Sequence, residues 1–166
     1  MAALPDAEIL CGQLARELKP RVTQDTAMVG IHTGGAWLAE RLHAALTLAE
    51  PLGLLDIAFY RDDYSRQGLA KDPKRSKIPF SVEGKHLLLV DDVLYTGRTV
   101  RAAMNELFDY GRPASITLVV LAERDGRELP ICAQHAGAQV AVPAGMRLRL
   151  RRDVAGRLSL ELERAA

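Results

Sequence analysis

The stretch that most restricts how this chain can fold is residues 87–110. Leu87, Leu88, Leu89 and Val90 form an uninterrupted apolar run, Asp91 and Asp92 follow it, Tyr95-Thr96-Gly97-Arg98-Thr99 is a small polar loop, and Val100, Ala103, Met104, Leu107 and Phe108 then recur at helical spacing. A short run without a polar face predicts a strand covered on both sides, as in the interior of a parallel sheet. The spacing over 100–110 predicts a helix. The order is strand, acid pair, loop, helix, and strands joined through helices indicate an α/β chain with a mostly parallel central sheet flanked by helices.

The loop opens a helix, so its free backbone N–H groups and the positive end of the helix dipole form an anion site, to which Thr96 and Thr99 add hydroxyls and Arg98 a charge. Gly97 lets the backbone approach closely. Carboxylates beside a phosphate cradle would repel the phosphate, so Asp91 and Asp92 are expected to face hydroxyls, or a metal held by the same ligand. A phosphorylated sugar offers both. Adjacent strand residues point to opposite faces, so the two acids are expected to serve unequally unless the chain turns there. The pattern is neither of the common glycine-rich nucleotide loops. A receiver domain also sets acids at a strand end, but near its N-terminus and without Thr-Gly-Arg-Thr.

At 166 residues, with 48% hydrophobic and 26% charged residues, the chain suits one domain over 1–166. A net charge of +1 exerts no global pull on nucleic acid, so such binding would need a local patch. Cys11 and Cys132 provide neither a disulfide framework nor a metal cluster, and read as buried small hydrophobes in a reducing compartment. A basic leader with an apolar core and a run of about 18 apolar residues are both missing, so a cytoplasmic protein without membrane association is expected.

Asp6 caps a predicted helix over 7–19 with Ile9, Leu10, Leu14 and Leu18 on one face. A strand over 26–31 breaks at His32-Thr33-Gly34-Gly35 before a helix over 36–46, whose stripe is Leu38, Leu42, Ala45 and Leu46. This second strand, loop, helix unit offers a second set of backbone amides to an anion, and His32 is given no catalytic role. A third strand is predicted over 52–60. Residues 65–79 are polar and aperiodic, and Lys71, Lys74, Arg75 and Lys77 make them basic, as a flexible lid over a multiply phosphorylated ligand would be. Further strands are expected over 116–121 and, as the last parallel one, 140–142. Arg147, Arg149 and Arg151 alternate with Leu148 and Leu150, which predicts a strand with a basic face, paired with 158–162 in a C-terminal β-hairpin.

The segment from Asp91 to Thr99 resembles the phosphoribosyl diphosphate (PRPP) motif of the type I phosphoribosyltransferases. Together with Val29-Gly30-Ile31-His32-Thr33, Tyr60-Arg61-Asp62-Asp63, Val100-Arg101-Ala102-Ala103, Gly111-Arg112-Pro113 and Arg127-Glu128-Leu129-Pro130-Ile131, it looks like the PyrR family of pyrimidine operon regulators and uracil phosphoribosyltransferases. The resemblance implies the type I fold and the reaction of uracil with PRPP to give UMP and diphosphate. It also implies Mg2+ bound mainly through PRPP and water, an mRNA leader of a pyrimidine operon as partner, and a homo-oligomer, dimer or higher.

By the same likeness Thr33 and Gly34 lie in the diphosphate loop, and Asp91 and Asp92 address the ribose hydroxyls. Val93, Leu94, Tyr95, Thr96, Gly97, Arg98 and Thr99 bind PRPP, the last four at its 5′-phosphate; Arg61 begins the lid and joins the acids in catalysis; Arg124 and Val140 frame uracil. Two other readings stay open: an RNA-binding or nucleotide-sensing attenuator with vestigial catalysis, and a purine phosphoribosyltransferase. Family members commonly have Thr-Arg-Gly where this chain has Thr33-Gly34-Gly35, so an arginine placed at Gly34 is expected to raise turnover or lower the KM for PRPP.

Overall fold

Strand β1 (Thr26–Ile31) is buried at every position, as a strand with neighbours on both edges and helices on both faces must be. The computed structural model describes residues 3–57 and 76–166. Helix α1 (Ala7–Leu18) precedes β1, and α2 (Gly34–Leu46) and β2 (Gly53–Leu55) follow it. Then come β3 (His86–Leu94), α3 (Arg98–Asp109), β4 (Ser115–Glu123) and β5 (His135–Gln139), and the chain ends in β6 (Met146–Arg152) and β7 (Leu158–Arg164). The five sheet strands stand in the order β2-β1-β3-β4-β5 and all their pairings are parallel. The run that predicted an interior strand lies at the centre.

Alternation along the strands builds two apolar layers. Met28, Leu88, Val90, Val119 and Leu121 face α1, α2 and the C-terminal hairpin, while Ala27, Val29, Leu87, Leu89 and Val120 face α3 through Val100, Ala103 and Leu107. The helix after β1 and the helix after β3 thus cover opposite faces of the sheet, although the two strands are neighbours. Their connecting loops part at the carboxyl ends of the strands, and such a switch point leaves a crevice.

Glycine sets how closely α2 lies on the sheet. A Cβ on Gly30 would stand 2.7 Å from Ala39 Cβ and 3.0 Å from Ala36 Cα. Gly30→Ala should therefore lower the unfolding free energy by about 1–3 kcal/mol, the usual cost of overpacking a filled core. Chemical denaturation of the two proteins checks it; equal stability would mean that α2 shifts freely.

Several expectations are corrected. The last parallel strand is β5 rather than residues 140–142. It is an edge strand that, among the described residues, shares a ladder with β4 alone, and its His, Gly and Gln leave no apolar run to read, while Val140 and Val142 pack against the core just beyond it. Among the described residues the strand expected over 52–60 forms a ladder only at Gly53–Leu55; residues 58–60 lie outside them. The acids do not end the central strand: β3 runs on to Leu94 because β4, of the same length, still pairs with it there. Ile9 is 60% and Phe108 58% exposed, and Ala45 is also exposed, so the covered stripes are narrower than the apolar spacing suggested.

The hairpin lies where expected, but its arginines do not form a basic face. Register sets Arg149 opposite Glu161 and Arg147 opposite Glu163; Arg149 pairs with Glu163, and Arg151 with Glu161 at 3.5 Å and Glu163 at 3.2 Å. Leu148, Leu150, Leu158 and Leu160 close the layer over α1 and α2. Cys11 is buried there, and desolvation, with Glu8 adding to it, pushes its thiol up to about 11. It behaves as a small hydrophobe, whereas Cys132, also expected to be buried, is exposed. No helix among the described residues is long and apolar enough to cross a membrane.

Candidate functional site

The helices differ in how their N-termini are closed. Asp6 caps α1, its Oδ1 accepting from Glu8 N at 2.8 Å and Ile9 N at 3.1 Å, and Glu8 adds a negative charge in the first turn. At α2 and α3 the capping positions are Thr33 and Gly97, neither makes a side-chain cap, and neither first turn carries an acid. Both of these open N-termini follow strands of the switch point, one after β1 and one after β3. Two uncapped helix ends beside one crevice suit a ligand with two anionic groups.

Gly97 has φ +93, a backbone conformation that side chains disfavour, and a Cβ there would stand 3.3 Å from Ile131 Cβ. Thr96 accepts the Arg98 N–H on its hydroxyl at 3.2 Å, while its carbonyl takes the N–H groups of Glu128 (3.0 Å) and Leu129 (3.1 Å). Arg98 Nε pairs with Glu128 Oε2 at 2.8 Å. Residues 127–131 therefore brace the 95–99 loop, a role that the motif Arg127-Glu128-Leu129-Pro130-Ile131 does not reveal in the sequence.

Asp91 is 4% exposed, and its Oδ1 accepts the Asp92 N–H at 2.9 Å. Asp92 is half-buried, with Oδ1 accepting the Val93 N–H at 2.9 Å. The two-residue alternation slips here: Val93 packs in the same layer as Val90, and Leu94 joins the other. With that slip both acids border the glycines of the second loop. A Cβ on Gly34 would stand 2.2 Å from Asp92 Oδ2, and one on Gly35 3.0 Å from Asp91 Oδ1. The strict opposition expected of adjacent strand residues does not hold, although Asp92 remains the more open of the pair.

Thr33, exposed, and Gly34 stand at the start of α2 beside the acids. Tyr95 is exposed, and Arg124 stacks on it with its guanidinium carbon 4.0 Å from the ring centroid. Arg124 Nη1 donates to Met146 O at 3.2 Å, and its buried Nε has no partner among the described residues. Val140 follows β5 with its side chain in the core, and its N–H donates to Glu123 O at 2.8 Å. Its N–H is thus engaged within the fold. Arg61 and residues 65–75 of the expected lid lie outside the described residues. The described end of that stretch is tied to β2 and its flank, Leu54 and Lys77 exchanging backbone hydrogen bonds of 2.8 and 2.7 Å and Asp56 N donating to Ser76 Oγ at 2.8 Å.

Residues 2–141 match the phosphoribosyl transferase domain family. The chain is 47% identical over 166 residues to the bifunctional protein PyrR of Pseudomonas paraeruginosa, covering 98% of this chain and 95% of that one. The chain belongs to the PyrR family of phosphoribosyltransferases. The PyrR of Nitrosococcus oceani is 51% identical over 149 residues, covering 86% of this chain and 84% of that one. Among solved structures, a hypoxanthine-guanine phosphoribosyltransferase from Bacillus anthracis superposes with a TM-score of 0.67 at 17% identity, covering 84% of each chain. A hypoxanthine phosphoribosyltransferase from Staphylococcus aureus superposes with a TM-score of 0.64 at 23% identity, covering 84% of this chain and 74% of that one. These two share the fold with this PyrR-family chain: the parallel sheet with flanking helices of the type I phosphoribosyltransferases.

Proposed function

We propose that the chain transfers the phosphoribosyl group of PRPP to uracil, releasing diphosphate and forming UMP, and that it also serves pyrimidine gene regulation. The observation that carries the enzymatic half is the pair of uncapped helix N-termini with two carboxylates between them, which matches a sugar bearing diphosphate at C1 and phosphate at C5. Thr96, Gly97, Arg98 and Thr99 take the 5′-phosphate through first-turn amides and hydroxyls. Thr33 and Gly34 present amides to the diphosphate. Asp92, and Asp91 behind it, hold the ribose hydroxyls, so that C1 is oriented toward the base as positive charge grows on the sugar. Arg124 and the Val140 carbonyl lie at the carboxyl ends of β4 and β5, where the base would sit.

Among the described residues no group of three or more His, Cys, Asp or Glu side chains is arranged to hold a metal ion. Two adjacent carboxylates beside an anion loop suit a Mg2+ brought with PRPP, which Asp91 and Asp92 would help to hold. When bound, that ion supplies charge neutralisation of the leaving diphosphate. The regulatory half rests on the similarity to proteins named bifunctional, and the pairing of Arg149 and Arg151 with Glu161 and Glu163 makes the hairpin a poor RNA surface.

The test is a PRPP-dependent assay run in parallel with uracil, hypoxanthine, guanine and orotate. Nucleotide should form with uracil at a kcat/KM at least about 100-fold above the other bases, because a site built to hydrogen-bond one base leaves polar groups unpaired with another. Preferred use of hypoxanthine or guanine would replace uracil with a purine, and no turnover with any base would remove the enzymatic reading.

A further inference from the structure

Glu123 is the last residue of β4, its side chain only 13% exposed, and each of its carboxylate oxygens is engaged on a different side. Oε1 pairs with Arg127 Nη2 at 2.7 Å, and Oε2 accepts from Gln139 Nε2 at 2.8 Å. Arg127 passes the contact on, donating from Nη1 to the carbonyl of Tyr95, the first residue of the phosphate loop. Gln139 is the last residue of β5 and directly precedes Val140. A carboxylate this buried is tolerated only when its charge is paired and its oxygens are hydrogen-bonded, so Glu123 and Arg127 depend on each other's position.

We propose that Glu123 is a positioning residue that couples the nucleobase end of the site to its phosphate end, through Gln139 on one side and through Arg127 and Tyr95 on the other. The proposal rests on the placement of the 5′-phosphate at Thr96 to Thr99 and of the base beside Val140. Glu123 touches neither. It fixes the distance between the end of β5 and the start of the phosphate loop, so a base pressing on Gln139 tightens or loosens the phosphate cradle. The brace from Glu128 and Leu129 to Thr96 does not involve Glu123, so loss of the coupling loosens the loop without releasing it.

The probe is ribose 5-phosphate, which has the phosphate and lacks the base, titrated calorimetrically into the full chain and its variants. Gln139→Ala alters an exposed residue of an edge strand that the phosphate does not reach. It should nevertheless weaken ribose 5-phosphate about threefold. Glu123→Gln, which keeps the volume but sets two N–H donors against each other, should weaken it about tenfold, and the double variant no further than Glu123→Gln alone, as contacts in one network are not additive. Glu123→Asp should recover part of the loss. Unchanged affinity in Gln139→Ala, or losses that multiply in the double variant, would overturn the coupling. A loss of melting temperature with unchanged ribose 5-phosphate affinity would also overturn it, leaving Glu123 a merely structural residue. If the unaltered chain does not bind ribose 5-phosphate, the phosphate site falls and the coupling with it. The base preferred in the transfer assay does not enter this result.

Discussion

Replacing Asp91 and Asp92 together by asparagine should lower turnover by at least about 100-fold, the scale on which removing preorganised electrostatic groups acts. The fold should survive. Asparagine matches aspartate in shape and keeps an oxygen to accept the Asp92 and Val93 N–H groups, now taken at 2.9 Å each. What disappears is negative charge beside a sugar that becomes cationic as diphosphate leaves, together with two strong acceptors for its hydroxyls. Of the single variants, Asp92→Asn should cost more, because Asp92 is the more open carboxylate and Asp91 is buried behind it. Steady-state kinetics with PRPP and uracil, with circular dichroism as the fold control, decides the matter. Turnover within threefold of the unaltered chain in a folded double variant would take the ribose role away from both acids.

The second large effect concerns Gly34 and reverses what the sequence suggested. An arginine there was expected to restore a cation for the leaving group. The structure opposes it, because a Cβ at Gly34 would lie 2.2 Å from Asp92 Oδ2 and 2.6 Å from its Cγ, and swinging that carboxylate away breaks its bond to the Val93 N–H. Gly34→Ala isolates this cost from any effect of charge. It should lower kcat/KM for PRPP by about 10- to 100-fold, the range in which a displacement of about 1 Å acts on an oriented reaction. Gly34→Arg should be no better than Gly34→Ala. A rise in kcat/KM for the arginine variant would show that Asp92 has another rotamer open to it and that the missing cation was the greater defect.

Local chemistry determined much of this protein without reference to its fold. An apolar run with no polar face, a turn rich in Thr and Gly, and a helical stripe each depend on a few neighbouring residues, so β1, the core of β3, α3 and the terminal hairpin follow from the chain itself. The order of acids, threonines and glycine from Asp91 to Thr99 pointed to the candidate site for the same reason: the groups it offers come from consecutive residues at one helix N-terminus.

What the chain by itself left undecided are relations between distant residues. Whether Arg149 and Arg151 make a basic face depends on the register that brings Glu161 and Glu163 across from them. That β5 rather than residues 140–142 forms the edge depends on which backbone pairs with β4, not on hydrophobicity. The close approach of Gly34 to Asp92, and the tie from Gln139 through Glu123 and Arg127 to Tyr95, exist because the parallel order β2-β1-β3-β4-β5 brings the ends of separate strands to one edge. Periodicity reports which face of an element is apolar, and only tertiary packing decides what that face, or the charge beside it, meets.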